Sequence, residues 1–484
     1  MAATQARWTV ALATLRTLRT LPPLALAALA ALAAPACGHR NNADPVLIPG
    51  GGVSSGEIAR FLNVYVVDGD TGDPIAGAFV QVDGETEDLS LTGTTNTDGL
   101  ATFEDRHLRG PQTVSAAAPG FANSTWFGVN GANVTINLND TASNTNVETA
   151  DVRGTIDQWD MLPAPAANHL WIGFVGYTFT ENIGGAENSI TQPTVAGLPA
   201  NACIKGLPID PPCDWHMIAR TGAQAHYYLL IDDDTMGTPL DMTDDTLTLA
   251  GWGVLPGLDL TNGAMVTAEL LPAPVMDVDT TTVTLADLPA GLDTQSLAGF
   301  VSLGEEGLMA FTFNAVSGQT AASVGYPLLT NELTTGYYRF IAVATDSATM
   351  TFPPTTYTNV DDLADLSGGV DMPAFLEPAS GLSLANEEFS YAAPPGASVY
   401  AASIHDPAND DLLWSIAQLD VSAGGSFVLP ALPATSGGAE LPFGDLRFEV
   451  TAIEVAGFDA GDFSLEDAAG EAVRASSNSA TVTR

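Results

Sequence analysis

Positive charge is what this sequence lacks most. Of its 484 residues only 14 are lysine or arginine, against 57 aspartates and glutamates, and Lys205 is the sole lysine. The net charge of −43 repels phosphate backbones, so nucleic-acid binding is excluded. Anionic lipid heads are repelled on the same ground, and the chain has no polybasic patch. Long apolar runs are missing too: the longest, Leu24 to Ala34, is 11 residues, whereas a membrane-crossing helix needs about 20. After residue 37 no long helical period occurs, which excludes a helical bundle. Cysteine is scarce, at three residues. What remains is 46% hydrophobic and 15% charged. That is too apolar for wholesale disorder and enough for three or four cores.

The apolar run sits in a three-part segment. Arg7, Arg16 and Arg19 come first, then the run, then Ala34-Pro35-Ala36-Cys37-Gly38. This is the layout of a secretory signal, with residues 1–36 removed. A cysteine at the cut resembles the lipobox of bacterial lipoproteins, although Ala34 stands where leucine is usual and Pro35 is in the middle. The resemblance implies that Cys37 is the lipid-attachment residue and the first residue of the mature chain. Two or three acyl chains on one cysteine suffice for stable anchoring, so membrane lipid is the implied partner. Gly38 rather than aspartate follows, which by analogy directs the protein to the outer membrane or cell surface. The alternative is ordinary cleavage after Ala36, leaving Cys37 a free thiol.

Residues 37–59, with Asn41-Asn42, Pro45, Pro49 and Gly50-Gly51-Gly52, read as a flexible tether that lifts the body off the membrane. Gly52-Val53-Ser54-Ser55-Gly56 matches a nucleophile-elbow pattern but lacks the strand–helix setting that motif requires. From Phe61 the texture is short alternating strands separated by turns: Leu62, Val64 and Val66; Ala78, Val80 and Val82; Leu100 to Phe103; Val134, Ile136 and Leu138. The expected fold class is all-β, as tandem antiparallel β-sandwich domains.

Within residues 60–140 the order Val-x-Asp-x-x-Thr-Gly-x-Pro-Ile-x-Gly-Ala-x-Val, then Thr-x-Thr-Asp-Gly-x-Ala-x-Phe, then Ala-x-Pro-Gly-Phe resembles the carboxypeptidase regulatory-like domain. That implies a prealbumin-like sandwich used as a spacer or binding module. It implies no peptidase: none of His39, His107, His169, His216, His226 and His405 has glutamate three places on. Asp68, Asp70 and Asp73 are spaced as in a calcium loop. Turn capping explains the same letters, and Phe79 stands where the EF-hand glutamate would be.

Residues 150–271 form a further β-sandwich unit holding Cys203 and Cys213. In an exported chain these are expected to form a disulfide; the alternative, a zinc site with His216 and His226, has the wrong spacing. Asp232, Asp233 and Asp234, followed by Asp241, Asp244 and Asp245, are the best metal candidates, with calcium as the ion and solvated turns as the alternative. No cofactor is otherwise expected. Residues 272–368 continue β-rich, leaving one or two units between 150 and 368. Residues 372–484, with Pro394-Pro395-Gly396, Trp414 and the ending Ser477-Asn478-Ser479-Ala480-Thr481, resemble a fibronectin type III-like sandwich.

The function these features imply is a non-enzymatic, lipid-anchored structural, display or adhesion protein. The alternatives are a carbohydrate- or peptide-binding lipoprotein and a secreted glycoside hydrolase. Exposed aromatics among Trp126, Phe127, Trp159, Trp171, Trp215 and Trp252 would mark the first alternative. Scattered carboxylates cannot identify the second without a pocket.

Overall fold

The computed structural model describes residues 45–84, 89–141, 148–178, 194–195, 198–199, 201–207, 212–237, 245–349, 351–419, 425–465, 468 and 472–484. The signal segment and Cys37 lie outside the described residues. The described chain is built mainly of strands, and among the described residues no helix is long and apolar enough to cross a membrane.

Alternation makes the sandwiches. In the N-terminal unit Leu62, Val64 and Val66 face Val80, Val82, Val114, Ala116, Val134 and Ile136 across one core. Each large aliphatic side chain so buried contributes about 1.5–3 kcal/mol. A second core lies between the sheets of residues 148–271, a third in residues 278–375 together with Ala225, Tyr227, Trp252 and Val254 from the second unit, and a fourth in the C-terminal unit around Tyr400, Ile404, Trp414 and Phe448.

Three of the four sandwiches share one sheet. Its twelve strands run in the order Leu308–Ala315, Thr294–Ser302, Tyr337–Thr345, Thr355–Leu363, Ala472–Thr483, Asp445–Val455, Val399–His405, Leu412–Gln418, Asn123–Val129, Gln112–Ala117, Phe79–Gly84 and Ser90–Thr94. At one seam Thr355 to Thr358 pair with Ser477 to Arg474. At the other, Trp414 to Gln418 run parallel to Asn123 to Phe127. Two further hydrogen bonds stitch the seam: the side-chain Asn123 Nδ2 donates to Ala439 O at 2.7 Å, and the backbone Leu419 N donates to Phe127 O at 3.0 Å. The expected all-β fold of successive antiparallel β-sandwiches is found, with three of the units joined edge to edge. Pairing is mainly antiparallel, with four parallel pairs among the described residues.

The expected tether is shorter than 37–59. Gly52–Ser54 is a strand, inserted between Asn133–Leu138 and Phe463–Ser464. Residues 46–50 run beside it, held by an outward row of polar side chains. Val46 N donates to Asn133 Oδ1 at 3.1 Å, Ile48 N to Thr135 Oγ1 at 2.9 Å, and Asn137 Nδ2 to Gly50 O at 2.7 Å. Glycine composition suggested a linker; here it serves close approach, since a Cβ on Gly52 would lie 2.2 Å from Phe463 O.

Candidate functional site

Four sets of residues could carry chemistry, and the fold treats each differently. Cys203 and Cys213 form the disulfide, with Cα atoms 4.9 Å apart and both side chains buried. Cys203 lies on Ala202–Lys205 in the four-stranded sheet of the second unit, and Cys213 leads into Trp215–Arg220 in the facing sheet. The bridge staples the sandwich, and both sulfurs are withdrawn from any zinc set. His216 instead pairs with Asp151 at 3.1 Å.

The aspartate run ends the strand Gly222–Asp234, so consecutive carboxyls point to opposite faces. Asp232 and Asp234 share a face with His169, whose Nδ1 is 2.9 Å from Asp232 Oδ1 and whose Nε2 is 4.0 Å from Asp234 Oδ2. The adjacent carboxylates raise the His169 pKa. Asp233 points the other way, buried, against Asp245. Burial, and then the Asp245 carboxyl, push Asp233 up to about 6. The three aspartates therefore do not converge on one ion. Among the described residues no group of three or more His, Cys, Asp or Glu is placed to hold a metal. Asp241 and Asp244 lie outside the described residues. In the N-terminal unit Asp68 Oδ1 accepts from the backbone N–H of Asp70 at 2.8 Å and Thr71 at 3.1 Å, which is the turn-capping arrangement.

Two polar clusters carry no signal in the sequence. His226 Nδ1 lies 2.6 Å from Glu269 Oε1 between the two sheets of the second unit, both side chains almost wholly buried. His226 Nε2 has no hydrogen-bond partner. In the C-terminal unit Ser403 Oγ is 2.9 Å from His405 Nε2, and His405 Nδ1 is 3.8 Å from Asp410 Oδ1. Arg447 binds Asp410 at 2.6 Å and also Glu449, whose other oxygen accepts from Ser477 Oγ at 2.8 Å. The Arg447 guanidinium rests 4.0 Å over the Phe352 ring. Burial, then the neighbouring Arg447 charge, lower His405 to about 4; burial raises Glu449, with Arg447 opposing.

Ser403, His405 and Asp410 are the residue types of an acyl-transfer triad, yet Ser403 is 0% exposed inside the twelve-stranded sheet. A hydroxyl there meets no substrate. The cluster instead links three strands of that sheet, Val399–His405, Asp445–Val455 and Ala472–Thr483, by hydrogen bonds and ion pairs. Neither cluster was legible beforehand: His226 and Glu269 meet by the packing of two sheets, and the segments 403–410, 447–449 and Ser477 meet by strand pairing.

The tryptophans turn inward. Trp126, Trp159, Trp215, Trp252 and Trp414 are buried, and Trp171 is partly buried, with its indole N–H donating to Pro163 O at 3.0 Å. They form no exposed stacking platform for sugars. Ser54 of the elbow-like pattern lies in the inserted strand, paired with Asn133.

No protein-family model matches the chain, and no curated protein matches it. Solved structures give distant likenesses. The Bacillus anthracis TIE protein shares 10% identity over 66% of this chain and 50% of that one, with a TM-score of 0.14. A putative adhesin from Bacteroides ovatus shares 9% over 48% of this chain and 94% of its own, with a TM-score of 0.16. The shaft pilin SpaA of Lactobacillus rhamnosus GG shares 11% over 49% and 100%, with a TM-score of 0.13. This chain spans half the length of the first. At these values nothing of what those proteins do passes to it.

Proposed function

We propose that this chain is a non-enzymatic structural or adhesion-type protein of a bacterial outer membrane or cell surface, anchored by lipid on Cys37. The observation that carries the reading is the twelve-stranded sheet. It commits three sandwiches to one continuous scaffold and draws the Ser403–His405–Arg447–Glu449 cluster into its interior. Chemistry needs reactive groups at a surface or pocket, whereas here they act as internal fasteners. The acidic exterior keeps such a scaffold soluble and leaves polypeptide or carbohydrate surfaces, not nucleic acids, as its partners.

Intact-mass spectrometry of the membrane fraction tests the anchor. A mature chain starting at Cys37 with added acyl mass, lost together with membrane retention in Cys37→Ala, is the expected result. An unmodified chain released to the medium would overturn the anchored reading.

A further inference from the structure

Residues 45–54 lie in a cradle built by two other parts of the chain. On one side Asn133–Leu138 pairs with Gly52–Ser54, and Asn133, Thr135 and Asn137 hold the backbone of Val46, Ile48 and Gly50. On the other, Phe463–Ser464 pairs with Gly52 and Val53, and Leu465 N donates to Gly51 O at 2.8 Å. Ile48 and Val53 are the buried apolar anchors of the segment, whereas Val46 and Leu47 are half exposed. The cradle selects its strand by glycine. A Cβ on Gly51 would lie 3.0 Å from Asn137 Oδ1 and one on Gly52 2.2 Å from Phe463 O, and the two residues have φ 89° and 149°.

The way out of the cradle is strained. Gly52–Ser54 and Ala59–Asp68 flank Asn133–Leu138 on opposite sides, so the chain between them must cross over the end of that strand. It does so in Ser55, Gly56 and Glu57, all exposed, before Ile58 is buried again. Ser55 at φ 74° and Gly56 at φ 69° are both left-handed, which in Ser55 sets Cβ against a carbonyl oxygen. Nothing lies within 4 Å of a Cβ on Gly56, so the backbone alone carries the constraint there. Two hydrogen bonds hold the crossover closed, from Ala132 N to Gly56 O at 2.9 Å and from Asn133 Nδ2 to Ser55 Oγ at 2.8 Å. The left-handed turn works against them.

We infer that this crossover is a hinge, and that residues 45–54 leave their own cradle to fill that of a second copy of the chain, the two copies exchanging segments reciprocally. The cradle contacts are all remade in the exchange, so the closed and exchanged forms differ at the crossover, where the left-handed turn is released once in each copy. The occupant is a second copy because the cradle asks for the glycines, the isoleucine and the valine that this sequence places at 48–53. Complementary outer surfaces are not needed. The net charge of −43 on each chain opposes the approach, so added salt strengthens the pair. Exchange gives the scaffold a route to self-assembly, and it holds whether or not Cys37 is acylated.

The test uses the chain from residue 37 onward carrying C37A, in which the other two cysteines are bridged to each other. Light scattering after size-exclusion chromatography would compare the parent, G56V and G52V/G56V. A β-branched residue in the left-handed region is disfavoured about tenfold, and two hinges open per pair, so G56V should lower the dimer dissociation constant by about a hundredfold. G52V denies the strand its place in either cradle and should return G56V to monomer. A G56V chain that stays monomeric, or a dimer that survives G52V, overturns the exchange. Val53 and Val134 face each other in the ladder and give a second measurement with the hinge unaltered. Chains carrying V53C and chains carrying V134C, annealed together and oxidised, should yield a disulfide-linked pair of twice the chain mass that neither yields alone. Absence of that pair, while V53C/V134C in one chain is bridged within the monomer, overturns the exchange as well; where the single chain is not bridged either, the light scattering decides.

Discussion

The indole N–H of Trp414 donates to Thr125 Oγ1 at 3.0 Å, across a parallel seam between two strands that lie almost three hundred residues apart in the chain. Around it Ser415 Oγ donates to Asn123 O at 3.4 Å, and a Cβ on Gly438 would fall 1.8 Å from Asn123 Oδ1. The seam is therefore packed as tightly as a domain interior. Removing the hydrogen bond with Trp414→Phe should cost about 1–2 kcal/mol, and Trp414→Ala about 3–5 kcal/mol. Guanidinium unfolding followed by tryptophan fluorescence and by far-ultraviolet dichroism should show the N-terminal and C-terminal sandwiches destabilised together. Separate transitions, with only one moved, would show that the seam does not couple them.

Arg447 and Glu449 give a sharper test of the buried cluster. Arg447→Met leaves the Glu449 carboxyl buried without its main partner and should cost about 3–5 kcal/mol. The double variant Arg447→Met/Glu449→Met removes both charges and should recover most of that loss. A double-mutant cycle by chemical denaturation measures the coupling; additive losses would mean that the two side chains act independently.

The Asp233 carboxyl makes stability depend on pH. Its pKa is raised from 3.8 to about 6 in the folded chain, so the folded state holds the proton more tightly than the unfolded one. This contribution is fully present below about pH 4 and is lost as pH rises through about 6. Asp233→Asn should thus be more stable than the parent at pH 7.5, by roughly 2 kcal/mol at most, with the gap closing below pH 4. His405 works in the opposite sense. Lowered to about 4, it stabilises above its unfolded value of 6.5 and loses that as pH falls through 4. Melting temperatures of Asp233→Asn and His405→Gln between pH 3.5 and 8 separate the two; parallel curves for parent and variants would remove both assignments.

Gly52 tests the inserted strand. Its φ of 149°, and the 2.2 Å that would separate an added Cβ from Phe463 O, leave no room for a side chain. Gly52→Val should expel Gly52–Ser54 from between its neighbours and expose the segment from Pro45 to Ser55. Limited proteolysis should then cut there at least tenfold faster than in the parent, whereas an unchanged rate would mean that the strand is not held.

Strand content was legible in the sequence because period-two alternation is a local signal. The expected strand Tyr337 to Ala344 is found as Tyr337–Thr345, and Leu446 to Glu454 as Asp445–Val455. The strand expected to stop at Gly251 continues to Leu260, through Pro256 and Gly257, because it lies at a sheet edge where proline forfeits no ladder bond. Pairing was not legible. Nothing local to Asn123–Val129 announces Leu412–Gln418 as its neighbour, and nothing in a glycine-rich stretch announces that Asn133, Thr135 and Asn137 will hold it. The disulfide could be anticipated from two cysteines in an exported chain. The His226–Glu269 contact could not, since charge patterning does not reveal which faces meet; Arg447 and Glu449 share one strand face, and what the sequence hides is that this face is buried with Ser477 and Asp410 against it.

The parallel seam also constrains how the molecule is made. A polypeptide leaves the ribosome, and any export channel, amino end first. Asn123–Val129 must wait for Leu412–Gln418, so the N-terminal sandwich stays an open-edged intermediate until nearly the whole chain has emerged. An unpaired strand edge of that kind invites pairing with other chains. Holding chaperones, rather than stepwise domain-by-domain folding, are what such a topology demands of the compartment in which it matures.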